Sequence, residues 1–143
     1  MHASADEIRS NVTDFRKALL AALRSGKMPQ TMEDFPRGCC SDSALMLGTY
    51  LSDIGLGDFK LVVGERGCFD DNDWFSHAWL EQENLIVDIT GSQFGEESNE
   101  ITITINSVWH ESFNLIWCDR ANLKEMASEL RPYYELVLSH LEK

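Results

Sequence analysis

The sequence predicts an α+β fold, and three observations carry that expectation. Apolar residues recur at helical spacing early in the chain, alternating apolar and polar segments fill its middle, and helical segments return at its end. At 143 residues the chain suits one domain, 1–143, built around one core.

The elements follow in order. From Asp6 to about Arg24, the residues Ile8, Val12, Phe15, Leu19 and Ala22 recur at steps of three and four, the mark of an amphipathic helix, and Gly26 is its stop. Residues 27–38 hold two of the three prolines and read as an extended connection. A second helix spans Ser41–Ile54 and closes at Gly55. Strands are expected at Phe59–Gly64, Ser76–Glu81, Asn84–Thr90 and Glu100–Asn106, with Val108–Cys118 as one more. Ala121–Leu130 and Pro132–Leu141 read as helices, Pro132 beginning a new one or kinking a long one. The N-terminal helices, the second of them packed on an antiparallel sheet, thus precede C-terminal helices.

Composition narrows the function classes. A hydrophobic share of 43% with 25% charged residues is that of a globular protein, which excludes wholesale disorder. No apolar run approaches the ~18 residues of a membrane span, so no membrane partner is expected. The first 25 residues are charged throughout and do not read as a secretory signal, so cytoplasmic residence is expected. A net charge of −12 argues against nucleic acid, whose phosphates attract Lys and Arg. The charge is uneven: residues 65–100 hold ten acids against the single Arg66. That region either keeps the protein soluble or favours a cationic partner.

Four cysteines, Cys39, Cys40, Cys68 and Cys118, are expected to be reduced thiols. Cys39 and Cys40 are adjacent, and neighbouring cysteines rarely bond each other. Counting from Cys40, the residues Ala44, Leu47, Leu51 and Ile54 share its helical stripe, whereas Cys39 shares rows with Ser43, Met46 and Tyr50, a more mixed and wetter face. Direction therefore favours Cys40. At a helix start the N–H groups lack intrahelical partners and the dipole favours a thiolate, which makes that thiol reactive. The same N–H groups suit the oxyanion of an acyl-transfer intermediate, and Gly38 lets a substrate backbone come close. A cysteine on an apolar stripe is also a common core residue.

The stretch FSHAWLEQENLIVDIT, residues 75–90, supplies the partners. A hairpin turning at Gln82–Glu83, or through the four residues Glu81–Asn84, sets Leu80 opposite Leu85, Trp79 opposite Ile86, and His77 opposite Asp88. His77, Trp79, Ile86 and Asp88 then share one face, and Ala78, Leu80, Leu85, Val87 and Ile89 the other. If the second helix packs on the His77 face, Cys40, His77 and Asp88 form a nucleophile, a base and its orienter.

The segment Gly38-Cys39-Cys40-Ser41-Asp42-Ser43-Ala44 resembles the G-x-C-x-D-x-A nucleophile segment of transglutaminase-like proteins, within the wider papain-like thiol fold. His77-Ala78-Trp79-Leu80-Glu81 is similar to their H-A-W-x-E strand, and Asp88-Ile89-Thr90 to their D-x-T strand. The resemblance spans about residues 36–94. It implies a papain-like or transglutaminase-like core, Cys40 as nucleophile, His77 as base and Asp88 as orienter. Candidates for oxyanion or substrate contacts are Gln93 first, then Trp74, Gly38, Trp79 and Gln30.

The function expected is therefore a cysteine hydrolase or acyltransferase acting on an amide (peptidase, deamidase or transglutaminase-type), with a peptide or protein substrate of cationic character and no cofactor. One alternative is a catalytically silent member of the fold, acting as an inhibitor-type or immunity-type binding module. Another is a zinc site drawn from the cysteines and histidines, for which no C-x₂-C spacing exists. The run Asp70-Asp71-Asn72-Asp73 lacks calcium-loop spacing, so no metal is expected there. His110 reads as structural or as a cleft-edge residue.

Overall fold

A five-stranded antiparallel sheet of order β4-β3-β2-β1-β5 is covered on one face by helices in the computed structural model, which describes residues 4–35, 40–91 and 100–141. The strands are β1 (Lys60–Arg66), β2 (Phe75–Gln82), β3 (Leu85–Asp88), β4 (Thr102–Thr104) and β5 (Asn114–Arg120). The helices are α1 (Ala5–Arg24), α2 (Cys40–Asp53), α3 (Val108–Glu111), α4 (Leu123–Met126) and α5 (Arg131–Ser139). The α+β class stands. No helix among the described residues is long and apolar enough to cross a membrane.

Helix α1 starts where Ser4 Oγ accepts the Glu7 N–H at 3.1 Å, and it buries Ile8, Val12, Phe15, Leu19 and Ala22, the residues its periodicity picks out. Helix α2 departs from expectation. Every residue from Ser43 to Leu51 is buried, including Ser43, Met46 and Tyr50 on the row expected to be wetter. The reason is its central position: the sheet lies along one side, and α1 packs on it through Phe15 and Tyr50, whose ring centroids are 5.2 Å apart. The stripe also ends at Leu51, since Ile54 is 42% exposed beyond it.

Local capping overrides pattern in two places. Ser107 Oγ accepts the His110 N–H at 3.1 Å and starts the single turn α3, so the strand expected from Val108 begins only at Asn114. Asn122 caps α4 through the N–H groups of Lys124 and Glu125, and Ala127, non-helical at φ −155° and ψ 68°, ends it, so Ala121–Leu130 is two short turns and not one helix. Strand β4 is shorter than expected because Thr104 Oγ1 bonds both the N–H and the carbonyl of Asn106 and turns the chain. Pro132 sits in the first turn of α5, where its missing N–H is harmless.

Two clusters occupy the two faces of the sheet. The larger joins α1, α2 and α5 to Leu61, Ala78, Leu80, Val87 and Ile89, and the smaller gathers Val62, Trp79, Ile86 and Phe113. Helix α2 therefore packs on the Ala78/Leu80 face, opposite to the face carrying His77 and Trp79 by alternation. Alternation sorts residues into two faces without saying which one the helix covers, and here the helix takes the uniformly apolar one. Contact is closest at Gly48, where a Cβ would stand 2.5 Å from Ala121 Cβ and 3.1 Å from Leu80 Cδ2. A Gly48→Val substitution is expected to destabilise the fold by about 1–3 kcal/mol through overpacking, measured by urea unfolding. Gly26→Ala makes no contact within 4 Å but sits at φ +78°, so its smaller cost reads backbone strain alone.

Candidate functional site

The hairpin register brings the first two site residues together by a route different from the one expected. Strand β2 pairs with β3 as Leu80↔Val87, Glu81↔Ile86 and Gln82↔Leu85, leaving Glu83–Asn84 as a two-residue turn with Glu83 at φ 54°. This register is offset by two residues from Leu80 opposite Leu85, so His77 and Asp88 are diagonal neighbours rather than opposed. An even offset keeps both side chains on one face, and diagonal neighbours remain within reach of long side chains. His77 Nε2 and Asp88 Oδ2 lie 2.7 Å apart.

Asp88 is fixed from several directions. It pairs in sequence register with Thr102 of β4. The backbone N–H of Thr90 donates to Oδ1 at 2.9 Å, and the Thr90 hydroxyl lies 3.4 Å from the same oxygen. The D-x-T segment is thus a local turn that holds the carboxylate. A fourth contact was not foreseen in its role: His110 Nε2 lies 2.7 Å from Oδ2, with Ser107 Oγ 2.6 Å from His110 Nδ1. His77, Asp88 and His110 are 1%, 2% and 3% exposed. The sequence signal for His110 was only its place one turn into a Ser-capped segment, and nothing local aims it at a residue 22 positions away.

The ladder between β2 and β3 stops at Leu80↔Val87, while β2 stays with β1 and β3 with β4. The sheet is therefore open beside His77 and Asp88. Cys40, the first residue of α2 and half-buried, lies close enough to His77 there to raise the pKa of the ring. With Nε2 bonded to Asp88, any contact with the thiol falls to Nδ1. The far side of the imidazole is walled by Trp109, Trp79 and Phe113, with centroids 5.5, 5.7 and 6.1 Å away. Gly64, opposite His77 on β1, leaves the space that Phe113 and the Trp79 ring occupy.

Burial by itself pulls the His77 pKa down, but hydrogen bonds to Asp88 and Cys40 and the charges of both outweigh it and push it up to about 9. Burial pushes Asp88 up, and the hydrogen bonds from His110, His77 and Thr90, with the charge of His77, carry it well below the ordinary carboxylate range. The arrangement can hold a charged imidazole between a thiol and a carboxylate, which suits proton transfer at the thiol.

The other candidates divide. The Trp74 indole N–H donates to Glu65 at 2.8 Å and its ring stacks on Phe69, and the Trp79 N–H donates to Glu81 at 2.8 Å. Both indole donors are committed to carboxylates, which argues against an oxyanion role for either. Gln30 is exposed in a short turn. Gly38, Cys39 and Gln93 lie outside the described residues. Cys40, Cys68 and Cys118 carry free thiols. Asp73 Oδ1 accepts the Cys68 N–H at 2.7 Å within the acidic turn. Among the described residues, His77, Asp88 and His110 form the group of metal-ligand type, with ligand atoms within 4.8 Å of one another. Their 2.7 Å contacts have the length of charge-assisted hydrogen bonds.

No protein-family model, curated protein or solved structure matches the chain.

The two shifted groups predict how stability follows pH. The raised His77 contributes stability that is full below its ordinary value of 6.5 and lost as pH rises through about 9. The depressed Asp88 contributes stability present above its ordinary 3.8 and lost as pH falls below it. Urea unfolding across pH is expected to show greatest stability between those limits. Asp88→Asn is expected to cost about 3–5 kcal/mol near neutrality and to flatten both slopes.

Proposed function

We propose that the protein is a cysteine-dependent hydrolase or acyltransferase acting on an amide, in a peptide bond or a Gln or Asn side chain, on a papain-like or transglutaminase-like core. One observation carries this reading: His77 sits between Cys40, which raises its pKa, and Asp88, whose Oδ2 is 2.7 Å from its Nε2. Cys40 is the nucleophile, His77 the acid and base, and Asp88 its orienter. The raised pKa of His77 supports a charged imidazole beside the thiol at neutral pH.

Cys40 Sγ attacks the amide carbonyl carbon, and the oxyanion is met by first-turn N–H groups of α2. The C–N bond then breaks as His77 gives its proton to the departing nitrogen, leaving a thioester. Water or an amine attacks the thioester, its proton passes to His77, and the thiolate departs. Water gives hydrolysis or deamidation, and an amine gives transfer.

A groove of about 630 Å³ supports a cationic substrate. It is lined by Ser41 and Asp42, the residues that follow Cys40, with Leu45, Leu61 and Trp117 as apolar lining and Asp119 and Glu125 as further acids. Burial, then the charge of Glu129, pushes the Asp42 pKa up. Such a surface suits a Lys or Arg side chain, whose stem is apolar and whose head is charged.

A second reading, a binding module without turnover, is favoured by β5. This strand ends the sheet and exposes Leu115, Ile116 and Trp117, a surface that suits strand addition by a partner. Alkylation separates the two. The thiol-enzyme reading expects iodoacetamide to label Cys40 rapidly at about pH 6–7 and Asp88→Asn to slow it by tenfold or more, whereas labelling only above about pH 8.5 supports the binding module. Turnover of peptides of graded charge is expected to rise with positive charge, and Asp119→Lys with Glu125→Lys to raise KM for the basic ones several-fold. Indifference to charge would remove the groove from the argument.

A further inference from the structure

His110 is more deeply engaged than a wall residue needs to be. It is 3% exposed, and both of its ring nitrogens are bonded. Ser107 Oγ accepts the His110 backbone N–H at 3.1 Å and lies 2.6 Å from Nδ1. A carboxylate oxygen only accepts, so Nε2 carries the proton directed at Asp88 Oδ2. The oxygen it meets is the one that His77 Nε2 uses, and Oδ1 belongs to Thr90. Two imidazoles therefore share one carboxylate oxygen.

We propose that His110 is a positioning residue for the Cys40–His77 pair, which by occupying Asp88 Oδ2 sets how tightly that carboxylate holds the proton of His77. The inference rests on the thiol-enzyme reading and deepens it. A second donor on one oxygen draws off part of its negative charge, so the bond to the first donor weakens. The proton that His77 must surrender to the leaving nitrogen is thereby kept transferable. Without the second donor, Asp88 would remain held by Thr90 and by its pairing with β4, and would grip His77 harder.

Other charged and titratable groups around this network come from every neighbouring element. Cys40 of α2 raises the His77 pKa. Lys60 of β1, Glu81 of β2, Cys118 of β5 and Glu111 of α3 line, with His110, a cavity of about 330 Å³. From α1, Arg16 Nε donates to the Ile89 carbonyl at 3.4 Å. None of the hydrogen bonds that hold His110 involves these groups, so replacing its ring tests the shared oxygen.

The test follows the His77 imidazole by NMR titration, alongside the pH profile of Cys40 alkylation. His110→Phe is expected to move the His77 midpoint upward by about one pH unit, a tenfold change in proton affinity. His110→Gln, which returns an N–H donor to the same region, is expected to restore most of the shift, and Ser107→Ala to give an intermediate one while leaving the ring in place. Should His110→Phe fail to fold, the Gln and Ala variants still order the effect. A His77 midpoint unchanged in all three, with rapid Cys40 alkylation retained, overturns the inference and leaves the enzyme reading intact. Wild-type Cys40 that labels only at alkaline pH overturns both. One equivalent of zinc retained by the wild type and lost in His110→Phe also overturns it, because Nε2 would then be a metal ligand and not a donor.

Discussion

Burial of the Asp88 carboxylate is the constraint on which the site depends. A carboxylate withdrawn from water is costly to keep charged unless donors replace the lost hydration. Four contacts do so here: the Thr90 backbone N–H and hydroxyl, His77 and His110. Each comes with a demand on the fold. The Thr90 contacts need a turn directly after β3, His77 needs β2 at its side, and His110 needs a capped turn between β4 and β5. The charge of Asp88 therefore ties three separate segments to one point.

The sheet serves this point by having two different faces. On the helical face, Leu61, Ala78, Leu80 and Val87 share the larger core with α2. On the other, aromatic rings wall the imidazole and exclude water, with Trp79 and Phe113 at 5.3 Å and Trp109 and Phe113 at 4.9 Å between centroids. Water exclusion strengthens the charge interactions among Cys40, His77 and Asp88, because the local dielectric is lower than that of solvent. The opening of the β2–β3 ladder is equally necessary. A thiol on one face and an imidazole assigned to the other by alternation meet only where the sheet is not closed between them.

The helix periodicity of residues 6–24, the alternation through residues 76–90 and the stop signals at glycines marked α1, β2 and β3 closely. Short elements were less legible. Ser107 and Asn122 each supply a cap worth about 1 kcal/mol, enough to turn a locally ambiguous stretch into a helical turn. Burial of α2 was underestimated because a helical stripe reports one face, whereas a helix enclosed by a sheet and other helices buries them all.

The sequence by itself determined the candidate site's residues: an acid, an imidazole and a thiol in a spacing that puts the first two on one face of the sheet and the third at a helix start. Alternation is a property of adjacent residues, so a two-residue error in register left His77 and Asp88 together. Tertiary structure decided which face α2 covers, where the sheet opens, and that His110 comes to share the Asp88 oxygen. Those outcomes depend on packing between segments distant in sequence, where the choice rests on volume, burial and hydrogen-bond demand and not on local pattern. The pairing of two histidines on one buried carboxylate is the clearest instance, because Asp88 needed a further donor and only the folded chain could say which one reached it.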